Sequence, residues 1–186
     1  MANKIKLAQI EDIDGMLDIL NKNWIFNQES KSTEELESSG FLVNPFTYED
    51  IVTQLKNNDF IILVSKNDDN VEGYIIDYTV NPDEFAWIRE SGIPIELQNK
   101  LLNEKTLYHR HIGIDPACKG IGKKLMETLI DMAIKKAHKN IICQIALSPV
   151  ENKKSIVFHE KLGFEMIGKC KDDVNDFIFG IFWKKL

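Results

Sequence analysis

The chain has 186 residues, 44% of them apolar and 28% charged, which suits a folded domain with its own core and excludes collagen-like and disordered classes. A formal net charge of −6 argues against a nucleic-acid partner, because phosphate recognition calls for a basic face. Cys118, Cys143 and Cys170 form no CxxC pair and no complete disulfide framework, and neither a signal peptide nor an apolar run of bilayer length is visible, so the expected location is the cytoplasm with no membrane partner.

Residues 4–8 read as a short strand. Ile10, Ile13, Leu17 and Leu20 then recur at a helical period, with Asp12 as a cap or first-turn acid. Residues 27–40 are polar and rich in Glu and Ser, and read as a mobile surface loop with one helical turn. Thr47 followed by Asp50 is a capping-box pattern and predicts a helix over 48–57. Strands at 60–64 and 71–80 flank the polar turn Asn67 to Asn70 and form a hairpin. Residues 81–106 read as a helical insert, with short helices at 85–90 and 95–102 parted by Gly92 and Pro94. A strand over 107–114 ends at Asp115 and Pro116. A long helix follows at roughly 122–139, then a strand at 141–147, a spacing that predicts a parallel βαβ unit. A short helix over 153–161 stops at Gly163, and strands at 164–170 and 177–186 close the chain. The expectation is a single domain over 1–186 of the α/β (α+β) class, a mixed central β-sheet flanked by helices.

Gly120 and Gly122 sit where a strand ends and the long helix begins. Glycine permits positive φ there and keeps side chains off the backbone. The helix start supplies free N–H groups, and Lys119, Lys123 and Lys124 add charge, so the joint can hold an anion such as phosphate. A glycine-softened turn with solvated lysines is the plainer alternative. The pattern is neither a P-loop nor a dinucleotide fingerprint, since Leu125 occupies the last glycine position.

With these residues in view, the sequence resembles the GCN5-related N-acetyltransferases (the GNAT family). The family's Gln/Arg-x-x-Gly-x-Gly/Ala motif matches Ala117, Cys118, Lys119, Gly120, Ile121 and Gly122, with Ala117 where the family has Gln or Arg. Its second motif matches Asn152, Ser155, Phe158, His159, Gly163 and Phe164. The resemblance implies that acetyl-CoA is the co-substrate. It implies that amides from Lys119 to Lys124 hold the pyrophosphate, and that the backbone of Ile112, Gly113 and Ile114 runs beside the pantetheine arm. Asn152, Ser155 and Phe158 would border the cofactor on the other side. Asn152 is equally a helix cap in its own right.

The resemblance also implies direct attack of an amine on the thioester, with no acyl-enzyme, so the cysteines are not nucleophile candidates. His159 occupies the position of the family's tyrosine acid and can donate a proton near neutrality. No Asp or Glu lies between Leu107 and Ile114, which leaves His109 and His111 as local bases. Alternation places His109, His111 and Gly113 on one face, and Tyr108, Arg110, Ile112 and Ile114 on the other. Tyr108 and Tyr78 are further candidates for the acid or the cleft. The histidine pair lacks a third ligand, and no metal is expected. The acids of the insert, Glu84 among them, favour a cationic acceptor, and Trp87 offers it an apolar wall; in the plainer reading the acids face solvent and the aromatics are core. The expected activity is acetyl transfer to a primary amine of a small molecule. Acetylation of a protein N-terminus or lysine, and a silent acyl-CoA-binding or partner-binding module, are the alternatives. The last strand is apolar on both sides, so it is either central or pairs with a second subunit, as in a homodimer.

Overall fold

A computed structural model describes residues 4–83, 85–172 and 176–186. Its strands are β1 (Lys4–Leu7), β2 (Phe60–Asn67), β3 (Asn70–Thr79), β4 (Thr106–Ile114), β5 (Asn140–Ser148), β6 (Glu165–Lys171) and β7 (Ile178–Lys185). They form one mixed sheet of seven strands in the order β1-β2-β3-β4-β5-β7-β6. The helices are α1 (Ile13–Asn23), α2 (Thr33–Ser39), α3 (Tyr48–Leu55), α4 (Ile95–Asn103), α5 (Ile121–Lys135) and α6 (Lys153–Lys161). The chain divides into two compact units.

The first unit comprises Met1–Ser30, Leu42–Tyr78 and His109–Met132. The helical stripe of α1 becomes its core: Ile13, Met16, Ile19 and Leu20 pack with Ile51 of α3 and with Ile62, Val64, Tyr74 and Ile76 of the sheet. Helix α3 begins in the expected box, with Thr47 N donating to Asp50 Oδ2 at 2.8 Å and Asp50 N donating to Thr47 Oγ1 at 3.2 Å. Asp12 is fully buried and caps no α1 amide; it accepts from Gln9 N and from Lys66 Nζ. Strands β2 and β3 pair antiparallel with Ile62 opposite Ile76. Tyr74 and Ile76 therefore face α1, while Gly73, Ile75 and Asp77 face the other way. On that second face, a Cβ at Gly73 would stand 2.8 Å from Ile114 Cδ1 and 3.1 Å from Ile121 Cγ2, so the start of α5 rests on a glycine.

The second unit comprises Lys31–Phe41, Thr79–Tyr108 and Ala133–Leu186. The polar stretch read as a loop with one turn carries a full helix, α2. Its apolar content is small, with Leu36 alone buried, and a reciprocal box between Ser32 and Glu35 supplies the start signal. Strand β7 lies between β5 and β6, antiparallel to both, which explains its two apolar faces without a second subunit. The outer side of β6 is occupied: Lys169 N donates to Ser91 O at 3.1 Å, just after the 3-10 turn Ala86–Glu90 of the insert. Such cover removes an exposed edge. Phe85, Ile88 and Leu101 of the insert are buried, which favours the core reading of its large apolar groups. Helix α5 ends earlier than expected. Ala137 takes φ of 62°, His138 N bonds back to Ala133 O, and Lys139 N already bonds to Lys105 O.

Candidate active site

In the first unit, the turn after β4 is ordered by one side chain. Asp115 Oδ1 accepts from Ala117 N at 2.9 Å, and Asp115 O accepts from Cys118 N at 2.8 Å. The carboxylate also accepts from Lys22 Nζ at 2.7 Å, and Lys22 and the Ala117 amide together hold its pKa below the ordinary range. Burial, with Glu72 and Asp115 nearby, pushes the Cys118 thiol up, away from nucleophilic character. Gly120 has φ of +77°, and a Cβ there would meet nothing within 4 Å. The turn is thus open toward solvent at the start of α5, where helix geometry gives the first amides no intrahelical partner. Lys119, Lys123 and Lys124 are exposed around it, and Lys123 lies 3.7 Å from Glu127. These residues fit a pyrophosphate: an open glycine, a helix start and mobile cations.

The histidines of β4 do not share a face. His109 Nδ1 lies 2.7 Å from Asp77 Oδ1, on the side of β3 away from α1. His111 packs edge-on to Phe46 at 5.5 Å, and a Cβ at Gly113 would stand 2.4 Å from Tyr74 Cε1, so both belong to the α1 side. The alternation slips by one between His109 and His111. Backbone bonds at the two ends of the β3–β4 ladder, Val80 N to Thr106 O and Asp115 N to Glu72 O, are likewise one residue out of step. A bulge does this. Its consequence is chemical. Burial, with Arg110 and His109 adding, holds the His111 pKa down to about 3, so that ring stays neutral in the core. Burial pushes the Asp77 carboxyl up, opposed by the His109 ring beside it. Asp77 was not singled out from the sequence. Its signal was an acid that follows Ile75 and Ile76 in the buried stretch of β3. Tyr78 itself stacks on Phe60 at 5.1 Å.

In the second unit, Asn152 is committed to structure. Its Oδ1 caps α6 by accepting from Ser155 N at 3.2 Å, and its Nδ2 donates to Phe41 O at 2.8 Å. His159 is buried between Phe158 and Phe164, each ring 5.2 Å away. His159 Nδ1 is 2.8 Å from Ser155 O, a group that can only accept, so Nδ1 carries the hydrogen. Phe158 lines an open groove of about 660 Å³ with Glu34, Glu37, Lys153 and Lys154. Tyr108 donates its hydroxyl hydrogen to Gln144 Oε1 at 2.7 Å, and Gln144 Nε2 points to Cys170 Sγ at 2.8 Å. Phe85 packs edge-on to Tyr108, and Trp87 lies half-buried against Phe85. Glu84 lies outside the described residues.

The mixed sheet and the glycine-opened turn ahead of α5 fit an acetyl-CoA-dependent N-acetyltransferase. The acetyltransferase (GNAT) family model matches residues 14–164, and the chain belongs to that family. An N-acetyltransferase from Staphylococcus aureus Mu50 shares the fold with a TM-score of 0.67 at 18% identity, over 100% of this chain and 99% of that one. The PaiA N-acetyltransferase from Thermoplasma acidophilum, solved with coenzyme A, gives 0.67 at 19% identity, over 100% of both chains. A ribosomal-protein-alanine N-acetyltransferase from Brucella melitensis gives 0.66 at 20%, over 98% of this chain and 99% of that one. No curated protein matches the sequence. Acetyl-CoA is the co-substrate. Among the described residues, no helix is long and apolar enough to cross a membrane.

Proposed function

We propose that the chain acetylates a primary amine of a small molecule, by direct attack on the thioester while both substrates are bound. The amine nitrogen bonds to the acetyl carbon, the carbon–sulfur bond breaks, the amine loses a proton and the sulfur gains one. Acetyl-CoA supplies the activated acetyl group. The residues that hold it in this reading are the turn 117–124 and the backbone of Ile112, Gly113 and Ile114 that leads into it.

The observation that carries the reading of the acceptor as an amine is the acetyltransferase (GNAT) family match over residues 14–164, with structural neighbours that are N-acetyltransferases. The insert supports a small acceptor, because Phe85 closes over Tyr108 where a peptide would need open groove. His109 is the residue built as a base. Asp77 Oδ1 engages its Nδ1 at 2.7 Å, which orients the ring and supports that role. His111 is held in the core and takes no part. His159 commits its Nδ1–H to Ser155 O, so in this reading it locks α6 rather than passing that proton to the sulfur.

The test is a thiol-release assay over a panel of primary amines and peptides. Turnover of a small amine with sequential kinetics is expected; peptide-only turnover or ping-pong kinetics overturns the reading. His109→Gln should lower kcat/KM about 100-fold, and Asp77→Asn should shift the pH profile of the remaining activity.

A further inference from the structure

We propose that Lys22, Asn23 and Asp115 are positioning residues that hold the cofactor turn in its binding shape, in place of the side chain that Ala117 lacks. The inference rests on the acetyl-CoA site read above and deepens it. A backbone cradle binds an anion well only if its amides already point the right way. Something must therefore fix the turn, and residue 117 has no polar side chain to do it.

The polar contacts of the turn lead to the last turn of α1. Asn23 Nδ2 donates to Ile114 O at 3.1 Å and, from the same nitrogen, to Ile19 O at 2.8 Å within α1. It thus ties the end of β4 to a helix whose other face is core. One residue earlier, Lys22 Nζ reaches Asp115 Oδ2 at 2.7 Å, leaving Asp115 Oδ1 to accept from Ala117 N at 2.9 Å. The carboxylate is thereby shared between helix and turn. Asp115 N is fixed in turn by Glu72 O at 2.9 Å. Five hydrogen bonds span Ile114 to Cys118, and attachment stops just before the open glycine, Gly120.

The chemistry of the pair also suits a phosphate neighbour. A lone carboxylate at Asp115 would repel an incoming pyrophosphate; Lys22 neutralises it without closing the turn. The pair is partly exposed, so its worth lies in geometry more than in Coulomb attraction.

The experiment measures the Kd for coenzyme A, the KM for acetyl-CoA, and kcat with the acceptor found in the amine panel. Asn23→Ala and Lys22→Met should each weaken coenzyme A binding about fivefold, and Asp115→Ala about tenfold or more. The rise should fall on KM for acetyl-CoA, with kcat at saturation changed by less than about twofold. Asp115→Asn keeps an acceptor for the Ala117 amide but loses the ion pair, so it should lie between Asp115→Ala and wild type; it also serves if Asp115→Ala does not fold. Lys66→Met loosens α1 at its other end, through Asp12, and should leave the Kd unchanged. Wild-type affinity in both Asn23→Ala and Asp115→Asn overturns the proposal, as does an equal loss in Lys66→Met or a loss confined to kcat. Failure of the wild-type protein to bind coenzyme A overturns the cofactor reading itself, and this one with it.

Discussion

Two strand-to-helix joints in this molecule solve the same problem in opposite ways. Each must satisfy or leave open the amides at the start of a helix. At the start of α6, Asn152 closes the end with its own side chain and anchors it to Phe41. At the start of α5, the preceding residue is Gly120, which has no side chain, takes φ of +77° and faces open space. The contrast separates a joint closed by its own side chain from the one proposed to bind the cofactor. A capped helix start is closed to an anion, and a glycine start beside a braced turn is ready for one.

The largest effect should come from breaking the closed joint. Asn152→Ala removes a cap and leaves the Phe41 carbonyl without its donor in a buried setting. A cap is worth about 1 kcal/mol and an orphaned buried acceptor about 1–3 kcal/mol, so the loss should be about 3 kcal/mol. Urea denaturation measures it. A loss under about 1 kcal/mol would mean that Asn152 is not the clamp of α6.

Filling the open joint should act on binding as well as on stability. Gly120→Val forces a β-branched residue into the left-handed region, at about 2 kcal/mol. It also puts carbon where the turn is now open, and coenzyme A affinity should fall about tenfold or more. Calorimetry with coenzyme A tests this. Unchanged affinity would show that the anion site does not use this turn.

The two joints were unequally legible in the sequence. The start of α6 could be read at Asn152, and its bounds matched, because a cap and a glycine stop are local signals. The hairpin of β2 and β3 and the Thr47 box were legible for the same reason. Helix α2 was missed because its start signal, Ser32 with Glu35, had no apolar stripe behind it. The bracing of the α5 joint was not legible at all. Lys22 and Asp115 lie 93 residues apart, and nothing local marks them as partners. The faces of His109 and His111 were misassigned because strict alternation was assumed through a strand that slips by one residue. The Asp77 partner was hidden in the same way, since only the ladder brings it to His109.

Acid gives the finest test of the difference, because the strand that feeds the open joint carries a buried neutral histidine. The His111 pKa is depressed from 6.5 to about 3 in the folded chain. The unfolded chain therefore binds a proton below about pH 6.5 that the folded chain refuses until about pH 3. His111 stabilises the fold fully above pH 6.5, and this contribution is lost as pH falls toward 3. The slope is about 1.4 kcal/mol per pH unit. Asp77 acts with the opposite sign, since its raised pKa makes the folded chain the better proton acceptor at mildly acid pH. Stability of the wild type alone therefore mixes the two, and the difference between wild type and His111→Phe isolates the histidine. The phenyl ring keeps the packing on Phe46 and cannot titrate. Urea midpoints at pH 6 and pH 5 should show the wild type losing about 1 kcal/mol more than the variant over that step. Amide exchange at Ile112 and Ile114 should accelerate in the wild type before it does at Ser155, behind the capped joint. Equal slopes in the two proteins would mean that His111 is not held neutral in the core, and the bulge that puts it there would lose its support.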